Sequence, residues 1–237
     1  MTSQAMAGID GELPKGDCHS PAPSHDYRHC DFSGRSMAGS DMSGSDLRGV
    51  NLQNANLSDC SLNQAKLEGA DLKWARLENC QALGADFTTA DLFHANLDGA
   101  RIDRAVFQRA NLFGASLNRV QGDESQFGRA NMKDIVMEES RLVAANFDQA
   151  FMLRAVLIGS DLSQAHIHQA VMTGAALEQA NFTRADLSGS LLNGATLDET
   201  VFNQARLTGA RFVNAHLRSV ELSDAIDVPP ELMPPSD

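Results

Sequence analysis

A five-residue period constrains this chain more than any other feature. Stepping by five from Phe32 to Leu222, 37 of 39 positions are Leu, Phe, Met or Ile, and only Ala82 and Gly122 break the column. Two residues before each lies a second column, Cys30 to Val220, where 37 of 39 members are Ala, Ser, Cys, Val or Thr, with Arg35 and Ile135 as exceptions. Asp or Asn separates the columns at 15 positions, and Gly ends the quintet at 13. A helix requires apolar residues about 3.6 apart and a strand requires alternation, so a strict step of five drifts around any helix and flips face along any continuous strand. The chain must turn at every repeat. Each quintet then supplies one short extended edge with a large and a small inward residue. Asn, Asp and Gly suit the corner because they tolerate positive φ or bond locally to the backbone. Four such edges close a square coil of 20 residues.

Runs such as Ala70-Asp71-Leu72, Ala90-Asp91-Leu92, Ala95-Asn96-Leu97, Ala110-Asn111-Leu112 and Ala185-Asp186-Leu187 resemble the consensus A(D/N)LXX of the pentapeptide-repeat proteins. The resemblance covers residues 30–224. It implies an all-β fold, a right-handed quadrilateral parallel β-helix with four quintets per coil and about ten coils stacked at the inter-strand spacing of ~4.8 Å. Residues 1–29 and 225–237 are expected to be N- and C-terminal caps over open backbone edges, the second favoured by its prolines, which cannot donate to a growing ladder.

Composition fits a core of one large and one small residue per quintet: 43% of residues are hydrophobic but only 5% are aromatic. The net charge of −12 disfavours direct nucleic-acid binding. No basic segment precedes an apolar run, and no stretch approaches the ~20 apolar residues of a membrane span, so a cytoplasmic protein without a membrane partner is expected, with secretion by a route lacking such a signal left open. The four cysteines are too few and too clustered for a disulfide scaffold. Cys60 and Cys80 fall one coil apart, where a disulfide is geometrically permitted, yet reduced buried thiols are the expectation.

With residues 20 apart stacked, Phe87, Phe107, Phe127 and Phe147 should form one interior ladder and Met132, Met152 and Met172 another, both as core filling. Outward positions differ between faces. One gathers Asp59, Glu78, Asp98, Glu138, Glu139, Glu178, Asp198 and Glu199 against Arg76, Arg119 and Arg218. Its neighbour gathers Trp74, Phe93, Phe113, Phe151, Leu153, Val171, Leu191 and Val213. Exposed apolar clusters mark protein contacts, or here a homodimer or a covering terminal segment. Cys18, His19, His25, His29 and Cys30 lie close in sequence but match no standard zinc spacing, so no metal site is expected. His166 and His168 should project from one face without a role. At Gly122 the ladder loses a side chain, and Gly122–Ser125 is expected either to loop outward or to have Val120 refill the core.

Catalysis needs a concave pocket with converging polar groups. Two apolar columns fill the interior, and no GxSxG, P-loop, HExxH or dinucleotide fingerprint occurs in a matching context. The expectation is a non-enzymatic protein without cofactor, acting as a rigid interaction scaffold through the apolar face. The alternative follows from the resemblance: pentapeptide-repeat proteins that confer quinolone resistance imply a negative rod of duplex-like width that occupies the DNA groove of gyrase or another topoisomerase. The short proline-rich C-terminus and the unbroken frame depart from that subgroup.

Overall fold

The computed structural model describes residues 12–233. Parallel bridges pair every residue between the two columns with its counterpart 20 positions on, from Asp26↔Asp46 to Arg206↔Ile226 without a break. A coil is therefore four quintets. The edges are shorter than strands: each is a single bridging residue, followed by a core residue and a two-residue turn. Among the described residues the only helix is the 3-10 turn Pro230–Leu232, and no helix is long and apolar enough to cross a membrane.

Four of the five N–H groups in a quintet find backbone partners, as around Leu52. The Leu52 N–H donates to the Asp71 carbonyl at 2.7 Å and the Asn54 N–H to that of Lys73 at 2.9 Å. Ala55 closes the turn on the Leu52 carbonyl at 3.0 Å, and the fourth bond, from the bridging residue back to the preceding coil, is the one that the Asp71 N–H makes to the Val50 carbonyl at 3.0 Å. The fifth N–H, one place after the core residue, lies in the turn and lacks such a partner. Asp and Asn between the columns take it with their side chains, as in Ser33 to Asp31 Oδ1 at 2.9 Å and Thr88 to Asp86 Oδ1 at 2.8 Å. A second solution uses an Asn or Asp one coil away, as in Leu83 to Asn63 Oδ1 at 2.9 Å. The sequence preference for Asp and Asn thus reflects an otherwise unsatisfied donor.

Every quintet ends in positive φ, which with the closing hydrogen bond made at most turns is the pattern of a type II turn; at Val120, Ser140 and Ala170 the closing N–H donates to a serine Oγ of the next coil instead. Glycine fills the positive-φ place at 13 turns, and ordinary residues such as Trp74, Arg154 and Gln169 adopt it at the others. Lateral stacking outweighs the cost of roughly 1–2 kcal/mol that a side chain meets there.

The two columns are buried along the rod. Phe87, Phe107, Phe127 and Phe147 stack with centroids 4.7, 4.9 and 5.0 Å apart, and Met132, Met152 and Met172 are fully buried. Gly122 differs from both expectations. Gln121 and Gln126 keep their bridges to Arg141 and Asn146, and Ser125 closes its turn on the Gly122 carbonyl, so nothing loops outward. Nor does Val120 supply any of the side-chain atoms nearest the gap. Ile102 and Leu142, from the coils on either side, converge on it: a Cβ at Gly122 would lie 2.9 Å from Ile102 Cγ1 and 3.1 Å from Leu142 Cδ2.

The cysteines also depart from the expectation of reduced thiols. Cys60–Cys80 and Cys18–Cys30 are disulfides, with Cα atoms 4.7 and 5.6 Å apart. Counting cysteines against chain length misses the reason: the 20-residue register places the first pair in adjacent rungs, and the N-terminal segment brings Cys18 over the first coil. There Lys15 bridges Asp26, and the buried Tyr27 occupies a core position one quintet before Phe32. The Tyr27 hydroxyl donates to the Ala22 carbonyl at 2.9 Å and accepts the Ala22 N–H at 2.6 Å. At the other end Leu232 is buried against the core, whereas Leu217 and Ile226 are exposed.

Candidate interaction faces

The square coil sorts outward residues into four faces, named here by core residue: face 1 by Leu92, face 2 by Leu97, face 3 by Ile102 and face 4 by Phe107. Register alone places all eight apolar candidates on face 1 and all eight acids on face 2.

The apolar residues form two groups rather than one stripe. Near Leu92, Trp74 is 51% exposed and its indole stands edge-on to Phe93 at 5.4 Å. Phe93 stacks on Phe113 at 5.4 Å, and the Lys133 ammonium lies 5.4 Å from the Phe113 centroid. Farther along, Phe151, Val171 and Leu191 are consecutive bridging residues, with Leu153 and Val213 in the turns; Phe151 is 40% and Val213 39% exposed. Asn131, Lys133 and Asp134 occupy the coil between the groups. His94, absent from the sequence-based candidates, belongs to the first group. It lies flat on Trp74 at 4.5 Å and edge-on to Phe93 at 4.4 Å. The signal was available in its place 20 residues after Trp74.

Face 2 is less bare than its composition implies. Arg76 Nε lies 3.1 Å from Glu78 Oε1, and Arg218 Nε 3.3 Å from Asp198 Oδ2. Glu78 also accepts from Ser58 and Asn96, at 2.9 and 3.2 Å. Burial opposes ionisation of its carboxyl, but its own backbone N–H, the Ser58 hydroxyl and the Arg76 guanidinium outweigh that and hold it below the usual range. Asp98 accepts from Ser116 Oγ at 2.6 Å, and Asp59 from Asn79 at 3.2 Å. Glu138 and Glu139 are exposed.

On face 4, His168 lies between two carboxylates, with Nδ1 2.9 Å from Asp148 Oδ1 and Nε2 3.0 Å from Asp186 Oδ2. Burial disfavours its charged form, but the paired carboxylates outweigh that and raise its pKa. The two-residue spacing of His166 and His168 holds, with ring centroids 6.2 Å apart; the acidic partners come from neighbouring coils. The same face has an open trough where Gly128 lacks a side chain, rimmed by Gln108, Arg109, Arg129 and Gln149. Of the five N-terminal candidates for metal ligation, the fold gathers Cys18, His29 and Cys30, with ligand atoms within 4.8 Å of one another. His25 instead pairs Nδ1 with the Pro23 carbonyl at 2.7 Å.

A family model described as a pentapeptide repeat region matches residues 24–107, and one described as pentapeptide repeats matches 136–174, 152–194 and 185–224. The chain belongs to the pentapeptide-repeat family. No curated protein matches this pentapeptide-repeat chain significantly in sequence. Among solved structures it is similar to a trypsin-treated form of QnrB1, a plasmid-mediated fluoroquinolone resistance protein, at 19% identity and TM-score 0.55, covering 83% of this chain and 91% of that one. A second similar structure is HetL of the cyanobacterium Nostoc sp. strain PCC 7120, a pentapeptide-repeat protein involved in heterocyst differentiation regulation. It is 26% identical with TM-score 0.41, covering 84% of this chain and 88% of that one. The likeness to QnrB1 concerns the fold. Pentapeptide-repeat proteins form right-handed quadrilateral β-helices, and the 20-residue register of this member fits that form.

Proposed function

We propose that this pentapeptide-repeat protein is a non-catalytic rod that docks another protein through face 1, with the group of Trp74, Phe93, His94 and Phe113 as anchor. The observation that carries the reading is the aromatic ladder itself: three aromatic side chains and an imidazole held in mutual contact on the outside of a stiff scaffold. Pre-stacked rings lose little conformational freedom on binding, and Trp is among the residues that dominate interface energetics. The right-handed winding in about ten coils is part of this proposal and gives the partner a straight, inextensible support.

A second reading has face 2 offer carboxylates to the DNA groove of gyrase. It is favoured by the exposed Glu138 and Glu139 and by the shared fold with a fluoroquinolone resistance protein. The pairing of Glu78 and Asp198 with arginines weighs against it, since both carboxylates are already partly neutralised.

Gyrase supercoiling with titrated protein separates the readings. Docking through face 1 predicts no inhibition and no protection from a quinolone at high molar excess. Inhibition abolished by Glu138→Gln/Glu139→Gln, but retained by Phe93→Ser/Phe113→Ser, would establish the second reading and overturn the first.

A further inference from the structure

We propose that, when reduced, Cys18, Cys30 and His29 form a zinc site that fastens the N-terminal segment to the first coil. Cys18 Sγ lies 3.5 Å and Cys30 Sγ 3.6 Å from His29 Nε2. Zinc bonds of about 2.3 Å to thiolate and about 2.0–2.1 Å to imidazole, set at the tetrahedral angle, place sulfur and nitrogen roughly 3.5–3.6 Å apart. Two edges of a Cys2His tetrahedron are thus already in place, and the third requires only that the sulfurs part.

The surroundings favour a fixed site. Cys30 is buried at the head of the small-residue column, Cys18 is partly buried and His29 is at the surface, so a metal can enter from solvent beside the imidazole. The Arg35 guanidinium holds the Cys18 carbonyl at 2.5 Å, and the paired Tyr27 hydroxyl fixes the turn between the two cysteines. These contacts do not depend on the sulfur–sulfur bond. The cysteine backbones therefore keep their places when it opens.

The two states exchange in balanced steps. A dithiol reductant supplies two electrons and two protons, is itself oxidised to a disulfide, and converts Cys18–Cys30 into two thiols. Zn(II) displaces both thiol protons to solvent and takes the neutral Nε2 lone pair of His29, with a water as fourth ligand. The cap is thereby closed by a disulfide in oxidising surroundings and by zinc in reducing ones. Cys60 and Cys80 cannot substitute, because both are fully buried in the rod with no histidine in the adjacent rungs.

The test uses the full chain reduced with a phosphine reductant and titrated with zinc chloride under a competing chromophoric chelator. The expected result is one equivalent bound, loss of binding in Cys18→Ser and Cys30→Ser, at least about tenfold weaker binding in His29→Ala, and no change in Cys60→Ala/Cys80→Ala. Unmodified protein gives an independent readout of the same site. Zinc should protect Cys18 and Cys30 from alkylation, located by peptide mass, and cobalt(II) should give a tetrahedral thiolate spectrum. Absence of stoichiometric zinc, binding indifferent to His29→Ala, or failure of zinc to protect Cys18 and Cys30 would overturn the proposal.

Discussion

The imidazole of His94 lies flat against the indole of Trp74, 4.5 Å between centroids and 9° from parallel. Both are fifth residues of their quintets, held at φ 51° and 59°, and 20 residues separate them. The register of the solenoid thus generates a surface contact as directly as it generates the core.

Trp74 is the only tryptophan, so its fluorescence reports this contact. A Cβ at Gly114 would overlap the His94 imidazole at Cε1, whereas one at Gly194 meets nothing within 4 Å. Both glycines have positive φ. Gly194→Ala should cost about 1 kcal/mol in backbone strain alone and leave the emission unchanged. Gly114→Ala should carry the same strain and also shift the emission as His94 is pushed aside. Equal spectra for the two variants would contradict the stacking.

The phenylalanine ladder should fail locally and severely. Phe107 is buried with a ring on either side, so Phe107→Ala should cost about 3–5 kcal/mol in urea unfolding. Gly122→Leu restores the repeat pattern, yet it should destabilise by roughly 1–3 kcal/mol because Ile102 and Leu142 already fill the space. A stabilised Gly122→Leu would show that the gap is real.

His168 predicts an alkaline weakness. Its folded pKa is raised by Asp148 and Asp186 over the opposing effect of burial. Its contribution is therefore complete below its unfolded value of about 6.5 and is lost as pH rises through the higher folded value. Asp186, held low by Ser188 and His168 over the same opposing effect, loses its contribution on the acid side instead. The urea midpoint of His168→Asn should fall short of the parent at pH 5.5 and converge with it in mild alkali. A constant difference across that range would contradict the assignment.

The Cys60–Cys80 disulfide closes a loop of one coil. Cys60→Ala/Cys80→Ala should lose about 2–4 kcal/mol relative to the oxidised parent. Without reductant, denatured parent protein should take up no alkylating agent at either cysteine; uptake at both would restore the expectation of reduced thiols.

The 20-residue register and the core ladders were legible in the sequence because they depend on chain-local spacing. The same spacing carried Trp74 to one face and Glu138 to the next. Features created by lateral neighbours were not legible without it. His168 looked idle until Asp148 and Asp186, in different coils, closed on it. Gly122 looked like a defect until Ile102 and Leu142 were seen to share its volume. The disulfides escaped an argument from composition, since adjacency in a solenoid follows register and not cysteine number. The division of the apolar face into two groups was readable in principle, from the shift of apolar residues between turn positions at Phe93 and Phe113 and bridging positions at Phe151 and Val171.

Photo-crosslinking from the aromatic ladder is the most direct test of docking through face 1. A benzoylphenylalanine replacing Phe93 on face 1, or Glu138 on face 2, is irradiated in the native cellular extract, and adducts are resolved by mass. Docking through face 1 predicts a discrete heterologous adduct from position 93, absent from position 138, and competed by excess parent protein but not by Phe93→Ser/Phe113→Ser. No adduct from position 93, an adduct only of the doubled chain, or the same adduct from both positions would contradict it.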